Sequence, residues 1–384
     1  MTNDGLEEIR EQIKELLEWK RNLFHVFETI SKQVDDNTWL HKVADIAEFE
    51  KISITGPPPS DYAFQVVKEI MEKTDPVYAN SFLPEDSVII YAYVFKPKGL
   101  DGNKKHPLMV LLHGGIHGNF TSATHAKFVR ELIEQGYIII APDYRGSNGY
   151  GATYWNLVDY GPTTVEDIYV SRNWMIENCE QIDEKRVGIM GWSMGGYNTL
   201  MNVFTYPEAY SVAFAGVPVS DLLIRLSYRR WDVESRAAVY SGGKVTDQYE
   251  LRKRSPAWNA EKLKVPLLVH CATNDRDVYI TEVENLIAQL KAAGKEFEYK
   301  IYQDPPGGHL FEMLDTPLAR EAQREIYKFL VSQLSIDSTE RSRCLSGKRV
   351  ALRFASNETS VMALIIYLPR VLLIALSWEA ASHV

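Results

Sequence analysis

Ser193 stands at the centre of Gly191-Trp192-Ser193-Met194-Gly195-Gly196, with the apolar run RVGIM before it and the stretch YNTLMNVF after it. A G-x-S-x-G between a strand and a helix is a nucleophile elbow. The turn is so tight that a Cβ two residues either side of the serine would clash. It lifts Ser193 Oγ above the sheet and sets the Met194 backbone N–H at a helix N-terminus, where it can stabilise an anion. The bland alternative is a glycine-rich turn without chemistry, but the flanking strand and helix favour the elbow.

A serine hydroxyl is a poor nucleophile at neutral pH and needs a base, which in turn needs a group to orient it. With an elbow serine the chain order is Ser, then Asp or Glu, then His. Three histidines follow residue 193: His270, His309 and His383. His383 lies in an atypical tail, and His270 lies inside the apolar run PLLVH, where a satisfied core histidine is expected. His309 follows Asp304-Pro305-Pro306-Gly307-Gly308, a loop after the run EFEYKIY, and is the expected base. The acid should leave the preceding strand, where PLLVHCATNDRDV offers Asp275 and Asp277 in one loop. Spacing does not separate these two aspartates.

Acyl transfer develops an oxyanion, which two backbone N–H groups usually hold. Met194 supplies one, and Gly114 or Gly115, in the turn after the run LMVLL, supplies the other. His113 and His117 are spaced like metal ligands, but the Gly-Gly between them fits a turn rather than a helix face. With no HExxH and no third ligand, no metal is expected. There is no GxxxxGK[ST], and no GxGxxG follows a strand, so no nucleotide cofactor is expected either.

These residues need a scaffold. Apolar runs at 88–95, 108–112, 137–141, 186–190, 212–216, 266–270 and 297–302 alternate with amphipathic stretches such as 124–135, 163–178, 280–293 and 317–334. That pattern predicts an α/β domain over 87–335, a mostly parallel sheet with helices on both faces. Residues 220–260 are too long for a connection and read as a lid-like insertion before the acid-bearing strand, over the carboxyl edge of the sheet. Residues 1–86 read as a helical N-terminal extension. Its stripe of Leu6, Ile9, Ile13, Leu16, Leu17, Leu23, Phe24, Phe27 and Ile30 is expected to pack on the helix's own domain. The functional alternatives for that stripe are a homodimer through the N-terminal helix or a lid.

The 384 residues carry 42 basic and 51 acidic side chains, a net charge of −9, with no concentrated basic face. Nucleic acid is therefore not an expected partner. Three scattered cysteines form no disulfide framework, and the opening MTNDGLEEIR has no apolar core of a secretion signal, so a cytoplasmic location is expected. After residue 335 the acids thin out, and MALIIYLPRVLLIALSW at 362–378 is interrupted by Pro369-Arg370. A membrane span needs about 20 apolar residues. The tail 336–384 is therefore read as an atypical, non-native extension rather than an anchor.

Together HGG at 113–115, PDYRGSNGYG at 142–151, GWSMGGY at 191–197, ATNDRDV at 272–278 and PGGH at 306–309 resemble the catalytic domain of the prolyl oligopeptidase (S9) family. The resemblance covers roughly 87–335 and implies an α/β-hydrolase fold. It also implies Ser193 as nucleophile, Asp275 as acid, His309 as base and an oxyanion donor at the HGG turn. Family peptidases carry a large N-terminal β-propeller that filters substrates, whereas the residues before 87 read as helical rather than as repeated blades. The expectation is therefore a serine hydrolase of small carboxylic esters, of aromatic, feruloyl or acetyl type. The alternative is an S9-type peptidase acting on short or N-acylated peptides, acylaminoacyl-peptidase-like.

Overall fold

The seven runs and one further strand before them build an eight-stranded sheet of order β1-β2-β4-β3-β5-β6-β7-β8, with partly exposed strands at both edges. The strands are β1 Ala47–Thr55, β2 Ile89–Pro97, β3 His106–Leu112, β4 Ile138–Asp143, β5 Ile182–Trp192, β6 Val212–Gly216, β7 Leu267–Ala272 and β8 Glu298–Tyr302. The computed structural model describes residues 3–74, 82–228 and 247–334. All of them lie in one unit, Met1–Leu345. The expectations for the tail 336–384, and for the middle of the 220–260 insertion, fall outside the described residues.

β1, β2 and β4 pair antiparallel; β4-β3-β5-β6-β7-β8 pair parallel. Every residue of β3, β4, β6 and β7 is buried, as a sheet covered on both faces requires. The covering helices are α1 Asn3–Val43, α2 Asp61–Thr74, α3 Ser122–Glu134, α4 Gly151–Asn156, α5 Pro162–Asn178, α6 Met194–Thr205, α7 Leu222–Tyr228, α8 Gln248–Lys253, α9 Ile280–Ala292 and α10 Pro317–Leu334. One core, with Val110, Ile140, Ile189 and Leu200, fills one side of the sheet. A second, with Trp39, Met109, Phe128, Ile139 and Phe214, fills the other.

Two readings of the N-terminal region change. The stretch before residue 87 is not wholly helical: β1 pairs with β2 along nine residues, from Ala47↔Pro97 to Thr55↔Ile89. Its sequence, AEFEKISIT, carries only alternate apolar residues because one face of an edge strand meets solvent. The apolar stripe of α1 does not pack on its own domain either. α1 docks through the opposite face, with Lys32, Trp39 and Val43 buried, while Leu16 and Phe27 stay more than half exposed. Trp39 stacks on Phe120 at 5.3 Å, and Asp35 accepts from the Ser122 N–H, so aromatic and polar contacts set the docking.

The YRGS segment proves to be a tie between distant parts of the chain. Arg145 is fully buried; its Nε and Nη2 donate to the two oxygens of Asp167 on α5 at 2.8 and 2.6 Å. Its remaining donors reach the Pro58 and Pro57 carbonyls at 2.9 Å. Removing one partner of such a pair leaves a buried charge without compensation. Arg145→Met is expected to lower the unfolding free energy by about 3–5 kcal/mol, checked by urea denaturation; a shift under about 1 kcal/mol, the scale of an exposed pair, refutes the assignment.

Candidate active site

The carboxyl ends of β3, β5, β6, β7 and β8 meet at one edge, and the chemistry-bearing loops leave from there, as in other open α/β sheets. Ser193, between β5 and α6, has φ 58° and ψ −118°, a left-handed conformation that a non-glycine residue rarely takes. Its neighbours permit the turn. A Cβ on Gly191 would lie 2.6 Å from the Gly195 carbonyl carbon, and one on Gly195 would lie 2.6 Å from Leu112 O. Ser193 N–H donates to Gly216 O at 2.9 Å, which ties the turn to β6. Met194 opens α6, so its N–H belongs to the first turn, where helix donors lack intrahelical acceptors.

His309 Nδ1 lies 2.6 Å from Asp275 Oδ2. The other Asp275 oxygen accepts from the N–H groups of Asp277 and Val278 at 2.8 and 2.9 Å. Asp275 is thus buried and aimed at the imidazole, and of the two aspartates that spacing left open it is the one placed against His309. Asp277 contributes its carbonyl instead, accepting from Arg225 Nη1 at 3.1 Å. His309 is delivered by a left-handed pair, Gly307 and Gly308, at φ 93° and 51°. A Cβ on Gly308 would stand 3.0 Å from Asn274 O, so glycine lets the histidine loop close on the aspartate loop.

Ser193 and His309 line one cleft of about 630 Å³, together with Met194, Gly114 and Gly115. That volume suits a small organic ligand. A Cβ on Gly114 would lie 3.3 Å from Ser193 Cβ, so the HGG turn runs against Ser193. Ile116, Tyr160, Val217, Val219 and Leu310 give the cleft apolar walls, and Arg225 and Asp277 reach it as well.

Three other candidate histidines, His113, His117 and His270, have structural partners. His113 is buried, with Nε2 at 3.0 Å from Ser147 Oγ and its ring stacked on Tyr144 at 4.2 Å. Burial holds its imidazole below the ordinary histidine range. His117 Nδ1 lies 2.8 Å from Gly146 O, and its ring stacks on Trp155. His270 is a core residue bonded at 2.6 Å to Glu312. Among the described residues no three His, Cys, Asp or Glu side chains come together as a metal site.

Sequence reasoning missed Lys32, Asp143, Arg225 and Glu312. Lys32, planted by α1, pairs with Asp143 at 2.8 Å with both side chains buried. Lys32 also donates to Phe120 O at 2.7 Å, and Asp143 accepts from Phe120 N–H at 2.6 Å and lies 3.6 Å from His113 Nε2. The pair therefore staples the loop that carries the HGG turn. Asp143 stands in the quoted PDYRGS run, but Lys32 is more than a hundred residues away with no local pattern to mark it. Glu312 accepts from Trp192 Nε1 at 2.5 Å, joining the serine turn to the histidine loop.

The profile of the prolyl oligopeptidase family matches residues 124–337. An uncharacterized peptidase, YuxL, of Bacillus subtilis is 27% identical over 248 residues, covering 62% of this chain and 36% of its own. Human dipeptidyl peptidase 8 is 28% identical over 233 residues, covering 58% of this chain and 25% of its own. The chain thus spans a quarter to about a third of the length of these curated relatives. An acylaminoacyl peptidase structure from Pyrococcus horikoshii superposes with a TM-score of 0.59 at 19% identity, over 77% of this chain and 43% of that one. That likeness shows the α/β-hydrolase fold.

Burial is the largest influence on the Asp143 carboxyl and pushes it up, but Lys32, His113 and the Tyr150 hydroxyl together outweigh it and the net shift is downward. A depressed carboxylate contributes stability that is present above the ordinary carboxylate range and lost as pH falls through the folded-state value. Lys32→Met is expected to cost about 3–5 kcal/mol at neutral pH, with a gap to the wild type that narrows on acidification. Urea denaturation at neutral and acidic pH reads both, and a gap that widens in acid contradicts the assignment.

Proposed function

The chain belongs to the prolyl oligopeptidase (S9) family of serine hydrolases, and from that premise we propose that it is a serine peptidase cleaving short or N-acylated peptides through an acyl-enzyme. The observation that carries the chemistry is the 2.6 Å contact of His309 with Asp275 in the loops that face Ser193. Ser193 Oγ attacks the scissile carbonyl while His309 Nε2 takes its proton. Asp275 holds Nδ1–H and stabilises the imidazolium. The Met194 N–H and one from the Gly114-Gly115 turn receive the oxyanion. His309 then gives the proton to the leaving amine, and a water molecule, deprotonated by the same base, releases the acid.

An ester substrate, the expectation drawn from the missing propeller pattern, yields first place because the relatives named above are peptidases. The chemistry of the site serves both substrate classes. They differ in the leaving group, since an amine must be protonated as the C–N bond breaks whereas a phenolate leaves without help. A cytoplasmic location remains part of this reading, supported by Cys179 and Cys271, both free and buried. Among the described residues no helix is long and apolar enough to cross a membrane.

Paired assays on an N-acetyl-peptide p-nitroanilide and a p-nitrophenyl acyl ester test the proposal. The expected result is turnover of both, with Ser193→Ala lowering kcat by about 10⁴–10⁶ and Asp275→Asn by about 10⁴. Asp277→Asn should keep most of the rate, since its carboxylate is not the one at His309. Ester turnover with no anilide turnover on any acyl-peptide would return the protein to the esterases.

A further inference from the structure

α1 carries apolar side chains at Leu6, Ile9, Ile13, Leu16, Leu23, Phe27, Ile30 and Val34. The steps alternate between three and four residues, a 3.5-residue period interrupted once, at Lys20. All eight are between 41% and 64% exposed, and Leu17, Trp19, Phe24 and Val26 widen the stripe. At roughly 150–200 Å² for a fully exposed large side chain, the stripe presents on the order of 1,000 Å² of apolar surface. A typical monomer's largest patch is about 300–600 Å², and a stable interface takes about 800 Å² from each partner.

A strict heptad seam fits another helix of the same period, because each seam side chain inserts between four residues of the facing helix. A membrane surface fits less well. Interfacial helices carry a basic polar face, whereas here the polar face holds Glu7, Glu8, Glu11, Glu15 and Glu18. Two of its basic residues are already paired within the helix, Arg10 with Glu7 and Lys14 with Glu11. Lys20 sets the direction. In a parallel pair the seam lysine would face its own copy, ammonium against ammonium. In an antiparallel pair, a positions meet d positions, so Lys20 lies against leucines of the partner's seam and its stem packs on them.

We propose that the α1 seam is a self-association surface that pairs antiparallel with the same seam of a second copy of this chain, Lys20 lying opposite Leu16 or Leu23 of that copy. The inference goes beyond the hydrolase reading and does not rest on it.

Analytical ultracentrifugation of the full chain at micromolar concentration should give twice the mass of one chain. Leu16→Glu/Phe27→Glu should give a folded monomer by circular dichroism. Lys20→Leu, which removes the seam charge, should tighten association by about tenfold or more. Ile9→Cys in a Cys344→Ser background should not cross-link to itself under oxidation, because the antiparallel arrangement sends the two copies of residue 9 to opposite ends of the pair. A wild-type monomer at tens of micromolar overturns the proposal, and so does a dimer indifferent to the glutamates. Self-cross-linking of Ile9→Cys overturns the antiparallel arrangement. Flotation of the monomer with anionic phospholipid vesicles would transfer the seam to a lipid surface.

Discussion

The structure is organised around one backbone conformation, the left-handed turn at Ser193, with φ 58° and ψ −118°. A non-glycine residue there costs on the order of 1–3 kcal/mol and persists only where the surroundings over-determine it. They do so from several directions. The Ser193 N–H is held by Gly216 O, and its carbonyl accepts from Tyr197 and Val219. A Cβ on Gly216 would come 2.2 Å from the Trp192 ring, so the indole packs directly against bare backbone. The same indole donates to Glu312, and Glu312 in turn meets His270 on β7. The strain at Ser193 is therefore borne by the strand pairing beside it and by the loop that carries His309. Glu312 thus links the turn that carries Ser193 to the loop that carries His309.

The other side of the cleft depends on a charge pair from far away in sequence. Lys32 and Asp143 are buried together, and Asp143 also takes hydrogen bonds from Phe120 N–H and Tyr150 OH. Buried ion pairs contribute little net stability, because desolvation offsets their attraction. Their geometry is demanding, however, and here it fixes where the HGG loop lies relative to β4. α1 is thus a structural member of the site. β1 supports this reading, since it extends the same sheet by one antiparallel strand.

Much of this was legible in the residues. All seven runs became strands, those in the middle of the sheet because a sheet covered on both faces needs apolar residues at every position. The elbow was legible because its glycines answer a backbone requirement, and Gly191 and Gly195 are where a Cβ would collide. β1 was not read as a strand, because an edge strand with one wet face shows only diluted alternation. The direction of the α1 stripe was misjudged for a related reason. Periodicity tells which residues share a face but not which face meets the body, and Trp39 with Lys32 outcompeted a longer apolar row. Arg225 and Glu312 carried no local signal at all, since their partners come from other elements. Asp275 and Asp277 left the same strand end and were separable only once hydrogen bonds could be assigned.

α1 reverses the usual arrangement of an amphipathic helix, in which the apolar face turns inward and charges meet water. Its inward face holds an ammonium, two carboxylates and an indole, each matched to a specific partner: Lys32 to Asp143, Asp35 to Ser122, Asp36 to Tyr93 and Trp39 to Phe120. Directional contacts of this kind specify the rotation of a helix about its own axis more strictly than apolar packing does. Slipping by one residue would bury two carboxylates without partners, at the full desolvation penalty for each. The outward face is consequently held in one orientation relative to the body, although none of its own side chains enforces it. The heptad row is displayed at a fixed angle by the same charge pair that anchors the HGG loop.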